Sequence, residues 1–231
     1  MKCPSCSRPV DHEADTCYSC GFSVAQVQRI YGRDLLPMAR ISDTAHCLRK
    51  RDRDDLDEIM DRLQNRFPQL LFCSYLTTLE NAAEIPSLGF WLVNHARVKG
   101  SEYARPNENA LMVIVDLTNK QIGFSLGYFA EYLLGEEDAH RTLQAARPYL
   151  VNGDYGRALI TLYKKLGRVL SRRARVLKKN QRQGRKPDYE IQNVPNLLDV
   201  PNHQPFPASA ADNVPEEATV ELPPILDPMI R

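Results

Sequence analysis

Residues 110–115, Ala-Leu-Met-Val-Ile-Val, are the most apolar run of the chain. A run of that length, rich in β-branched types and bounded by polar residues, predicts a strand buried on both faces. Residues 116–120 break it, with Asn119 suited to the left-handed conformation of a tight turn. Beyond the turn Ile122, Phe124 and Leu126 alternate with Gln121, Gly123 and Ser125. A period of two describes a strand with one wet face, so the pair reads as a hairpin.

Upstream the period changes. Leu56, Ile59, Met60, Leu63 and Phe67 recur at three- and four-residue steps, the stripe of a helix that begins near Asp52 and stops at Pro68. Residues 70–77 form a second strand candidate, and Pro86 opens a helix carrying Leu88, Trp91, Leu92 and His95. Strand, helix and strand then make a β-α-β unit, with parallel strands and a right-handed crossover. Downstream, Ala139, Leu143, Ala146 and Leu150 mark a helix that Pro148 must end or bend. Asn152, Gly153 and Asp154 supply a stop and a fresh N-cap. The last helix runs from 154 to about 179, with Leu159, Leu162, Leu166 and Val169 as its apolar stripe. The class is α/β, a small mixed sheet sandwiched by helices. After 180 periodicity ends, and residues 187–231 are rich in Pro, Asn and acids. Such a segment buries too little apolar area to offset chain entropy, so residues 180–231 read as a disordered tail.

Composition alters this picture mainly at the N-terminus. The net charge of +1 creates no global field toward nucleic acid or membrane, so any such signal is local. No run reaches the roughly 18 apolar residues of a membrane helix, and no apolar export core follows Met1. A cytoplasmic, reducing location is expected. Four of the six cysteines then form two Cys-x-x-Cys pairs, Cys3 with Cys6 and Cys17 with Cys20. Each pair folds as a knuckle presenting two thiolates, and two knuckles complete a tetrahedron. All-thiolate sites select zinc or iron–sulfur, and a closed set of four favours structural Zn2+. Gly21 permits the positive φ that such a knuckle uses. So short a segment has no core of its own, so the metal must supply about 10–16 kcal/mol of folding free energy. Residues 1–21 are therefore a zinc ribbon. His12 in the spacer is a solvated side chain or a substitute ligand. Residues 22–40 read as a linker that lets the ribbon fold by itself, and residues 41–179 as the main domain. Cys47 and Cys73, isolated, read as small buried hydrophobes, and His95 as a helix histidine at the core boundary.

Several modest motifs occur in a telling order: Asp43, a Trp-bearing helix, Asn109 ahead of the buried strand, Gly127-Tyr128 with Glu131, and Pro148 followed by Gly153, Asp154 and Tyr155. Over roughly residues 41–170 this order resembles the TPM domain, a family of thylakoid lumen proteins of photosystem repair and bacterial envelope proteins. The resemblance implies helices packed on a small central sheet. It also implies acidic residues at one end of that sheet, to which Ca2+ binding and a weak acid phosphatase activity have been attributed in some members. Carried over by position, the candidates are Asp43, Asn109, Glu131 and either Glu136 or Asp138. The family's Asp-Asn-Gly is here Glu108, Asn109 and Ala110, and its Gly-Tyr-Gly-Leu-Glu is Gly127, Tyr128, Phe129, Ala130 and Glu131. Ca2+ takes six to eight oxygen ligands, more than the matched carboxylates provide, and a solvated acidic loop is the plainer reading.

One charged stretch stands apart. Arg172, Arg173, Arg175, Lys178 and Lys179 crowd the end of the last helix, where like charges three and four residues apart repel. They are candidate anion-binding residues for nucleic acid, an anionic surface or the chain's own acidic tail, unless the helix simply frays there. Taken together, the expected role is an interaction or assembly module with an unnamed protein partner. A Ca2+- or Mg2+-dependent phosphatase and a nucleic-acid-binding protein are the rival readings.

Overall fold

In the computed structural model, which describes residues 3–6, 8–11, 14–81, 84–99 and 109–183, the apolar run lies at the centre. Among the described residues the elements follow in the order α1 (Val24–Tyr31), β1 (Leu36–Met38), β2 (Ile41–Asp43), α2 (Lys50–Arg66), β3 (Leu71–Thr77) and α3 (Ile85–His95). Then come β4 (Ala96–Val98), β5 (Ala110–Asp116), β6 (Gln121–Leu126), α4 (Tyr128–Leu133), α5 (Glu136–Val151) and α6 (Tyr155–Arg182). The tail is expected to begin at 180, but α6 continues to Arg182; the rest of it from 184 onward, and His12, lie outside the described residues.

The main sheet has the order β2-β3-β5-β6, with β2, β3 and β5 parallel and β6 antiparallel. All seven residues of β5 are buried, as an apolar run without alternation requires. Its side chains divide by parity. Leu111, Val113 and Val115 join Phe72 and Leu76 of β3 in a core closed by α2 and α6. Met112 and Ile114 join Leu71 and Cys73 in a second core closed by α1 and α3. The sheet is thus covered on both faces, the sandwich that the alternating elements predict. Tyr163, at the centre of the first core, satisfies its hydroxyl on Cys73 O (2.8 Å) and Ser74 Oγ (2.9 Å).

Two pairs of close approaches set the helix packing. Gly89 of α3 lies where a Cβ would sit 2.7 Å from Ile114 Cδ1 and 2.9 Å from Ser125 Cβ. The helix therefore presses onto β5 and β6, covering the Gly123 and Ser125 face of β6 that alternation alone predicts to be wet. On the other side Gly156 faces Asp52 and, eleven residues further along each helix, Gly167 faces Leu63. α2 and α6 consequently run parallel, in register.

Three local expectations differ from the structure. Residues 22–40 are not a plain linker: they hold α1 and β1, and β1 pairs with β4 in a small parallel sheet. In the hairpin turn the positive φ falls on Lys120, not Asn119. Asn119 instead donates its amide to Asp116 Oδ2 (2.6 Å) and Leu79 O (3.2 Å), which ties the turn to the β3–α3 loop. Pro148 does not end α5: the helix continues to Val151 and is capped at Asn152. There Gly153 N donates to Leu150 O (3.0 Å) and Asp154 N to Tyr149 O (2.9 Å), and Gly153 adopts φ +73°, a Schellman closure. Asp154 Oδ1 then accepts from Arg157 N (3.2 Å) and caps α6, which runs on to Arg182.

Candidate functional site

The four N-terminal cysteines come together. Their sulfurs all lie within 4.8 Å of one another, with Cys3 and Cys20 3.6 Å apart and Cys6 and Cys17 3.7 Å apart. Metal–sulfur bonds of about 2.3 Å place tetrahedral sulfurs about 3.8 Å apart, so the donor set fits one ion. None of the six cysteines is in a disulfide. Each knuckle is folded by its own backbone: Cys3 N donates to Arg8 O and Gly21 N to Cys17 O, both at 2.8 Å. Gly21 takes φ +72°, the left-handed value expected of it. The Cys17 thiol is brought down to about 7: burial pushes it up, but the N–H groups of Ser19 and Cys20 aimed at the sulfur outweigh that.

The ribbon runs directly into α1. Thr16 bridges Ser23, and Ser23 Oγ accepts from Gln26 N to cap α1. Phe22 meets Phe90 edge-on with centroids 5.4 Å apart, and Tyr31 lies against Trp91 at 5.7 Å. The indole N–H of Trp91 donates to Gly32 O at 2.9 Å. His95, half-buried, stacks on Trp91 with centroids 5.3 Å apart, the boundary position expected of it. The segment that follows the ribbon is thus seated on α3 through Phe22, Tyr31 and Gly32. The apolar surface of α3 facing away from the sheet must be covered, and α1 covers it.

The acidic candidates do not converge. Asp43 ends β2, and its buried carboxylate is spent on the following loop. Oδ1 accepts from Cys47 N (3.1 Å) and Oδ2 from Leu48 N (2.9 Å), with Arg53 at 3.8 Å. Burial, and then the Asp43 charge beside it, push the Cys47 thiol up to about 12. Asn109 precedes β5, and since β2 and β5 are both parallel to β3 it sits at the opposite end of the strands, about 20 Å away along a seven-residue strand. Glu131 is exposed on α4, which starts beside Ala110 through Gly127 N to Ala110 O (2.7 Å). Glu136 is exposed at the start of α5, whereas Asp138 is buried and holds Arg173 through Nε and a terminal nitrogen, both at 2.8 Å. Among the described residues no three of these carboxylates come close enough to share one ion, as the cysteines do. Asp116 escapes the sequence reading. Fully buried at the end of β5, it accepts from Leu79 N and Thr118 N (3.0 Å each) and from Asn119. Its signal, an Asp closing an apolar run, is indistinguishable in sequence from an ordinary turn residue.

The basic candidates divide as well. Arg173 is committed to Asp138. Arg172 and Arg175 instead line a groove between α2 and α6, where Arg62 and Arg66 of α2 face Lys164 and Arg168 of α6. Lys178 and Lys179 are exposed in the last turns of α6, beyond this groove. The α2 side of the groove lies a hundred residues away in sequence, so the charge run of α6 alone could not disclose it.

The family model for the TPM domain matches residues 41–169, more than half of the chain. No curated protein matches. Two solution NMR structures are similar. The N-terminal domain of a P. gingivalis protein aligns with TM-score 0.45 and 14% identity, over 65% of this chain and 88% of its own. The N-terminal domain of a Corynebacterium glutamicum protein aligns with TM-score 0.42 and 10% identity, over 69% of this chain and 88% of its own. No helix among the described residues is long and apolar enough to cross a membrane.

Proposed function

The chain belongs to the TPM domain family, and from that premise we propose that it is a cytoplasmic, non-catalytic interaction module with structural Zn2+ in its ribbon. The observation that carries this reading is the packing on α3 of the segment that leaves the ribbon, through Phe22, Tyr31 and Gly32. A rigid base turns the ribbon into a presented surface, and Tyr18, within the second knuckle, stands 80% exposed on it. A large exposed aromatic held on a rigid support is what an interface anchor requires. The four sulfurs leave the ion no open position, which suits structure and not catalysis. Thiols kept for a metal suit a reducing compartment. A binding role also fits the carboxylates better than hydrolysis does, since Asp43 is spent on its own loop and Asp138 on Arg173.

Photo-crosslinking in cells from position 18 tests the reading. A specific protein should be trapped, and the product should vanish in Cys3→Ser, whose ribbon no longer folds. A product unchanged in Cys3→Ser would contradict the proposal. So would hydrolysis of a simple phosphoester in Ca2+ or Mg2+ that Glu131→Gln abolishes.

A further inference from the structure

The groove between α2 and α6 exists because those helices run parallel at close range over Gly156 and Gly167. Its walls carry Arg62 and Arg66 on one side and Lys164, Arg168, Arg172 and Arg175 on the other, enclosing about 510 Å3, and no acid lines it. In a chain of net charge +1 this is a strong local excess. Arg62 has Glu58 one turn back on α2, and Arg66 lies over the Phe67 ring. Among the described residues the four α6 cations have no ion-pair partner. Compensation of the helix dipole does not account for them, because it acts only over the last turn, and Lys164 to Arg172 lie well inside α6. Their i, i+4, i+8, i+11 spacing makes them repel one another. An ordered polyanion would relieve that repulsion.

We propose that this groove binds the phosphate backbone of double-stranded nucleic acid. From Lys164 to Arg175 the stripe is about 16 Å long, and a duplex strand places a phosphate about every 3.4 Å of axis, so about five phosphates face it. Five of the six cations are arginines, whose planar forks match phosphate oxygens in pairs. The groove offers no stacking platform for the bases of a single strand: the ring of Tyr163 in its floor is fully buried. It is equally ill suited to lipid, because its apolar residues Ile59 and Leu63 are buried and nothing among them can insert into a membrane. Recognition is therefore of backbone charge and shape, without base readout.

The test titrates the full chain against fluorescent mixed-sequence duplex DNA, duplex RNA, a single strand and vesicles rich in anionic lipid. Either duplex should bind, and raising salt from about 50 to about 200 mM should weaken that binding by about a thousandfold if all six cations meet phosphates. Replacing Arg168, Arg172 and Arg175 by Ser should lower the log–log salt slope by about 2.7, three contacts' worth. A charge-matched control, Arg29→Ser with Arg33→Ser and Lys99→Ser, should leave the slope unchanged. Circular dichroism of both variants establishes that they are folded. Absence of duplex binding at low salt, tighter binding of the single strand or vesicles, or equal losses in the two triple variants would each overturn the proposal.

Discussion

Removing the metal should be felt at Trp91. With chelator present the ribbon has no core of its own and melts. α1, eight residues long, is too short to persist by itself once its N-terminal support is gone. The α/β domain then loses the Phe22–Phe90 and Tyr31–Trp91 pairs and the Trp91–Gly32 hydrogen bond. Aromatic pairs contribute about 0.5–1.5 kcal/mol each and a hydrogen bond about 0.5–1.5 kcal/mol. The domain should thus lose roughly 1.5–4.5 kcal/mol from these contacts. For a domain of this size that lowers Tm by about 5–15 °C. Trp91 is the chain's one tryptophan, so its fluorescence reports the contact without interference. Chelation should shift its emission to the red as the indole meets water, and calorimetry should show the main transition moving down. Unchanged emission together with an unchanged Tm would refute the reasoning and return the ribbon to a tether.

Three further outcomes are expected. Gly167→Ala places a methyl 2.7 Å from Leu63 Cδ2, costing about 1–3 kcal/mol by overpacking, less the roughly 1 kcal/mol alanine gains over glycine in a helix. Leu63→Ala alone costs about 2–5 kcal/mol, and the double variant should cost less than the two together; additive urea midpoints would contradict the close approach. Tyr163→Phe leaves Ser74 and Cys73 O without their buried partner and should cost about 1–3 kcal/mol, so an unchanged midpoint would mean that the hydroxyl network is not formed. The thiols of half-buried Cys47 and buried Cys73 are both pushed up to about 12, chiefly by burial. The unfolded chain gives up these protons near pH 9 while the folded one keeps them, so the stability they confer is full below about 9 and is lost as pH rises toward about 12. Replacing both with Ala should flatten that decline in urea titrations, and an unaltered pH profile would exclude them as its source.

What could be read from the chain depended on how many periods each element contains. β3, β5 and β6 and helices α2, α3, α5 and α6 repeat their pattern often enough to be legible. β1, β2 and β4 have three residues each, too few for alternation to register. α1 was hidden because Val27 is its only buried residue, and what it covers is supplied by α3 far along the chain. The cysteine centre was legible because its geometry is local: two knuckles, each closed within six residues. Asp43 was legible as a distinctive residue but not in its role, which depends on a loop bending back to offer the Cys47 and Leu48 N–H groups. The basic groove was only half legible. α6 announces its charge, but the facing arginines of α2 become neighbours through two glycines whose meaning appears only once the helices are packed.

The most direct test of the central claim is the metal content of the chain purified under reducing conditions, with the coordination checked by replacing the native ion with Co2+. One zinc per chain, a Co2+ spectrum of tetrahedral all-thiolate type, and loss of both in Cys6→Ser combined with Cys20→Ser are the predicted results. A chain that is metal-free as purified, takes up no Co2+ and still keeps residues 3–31 folded would contradict the account.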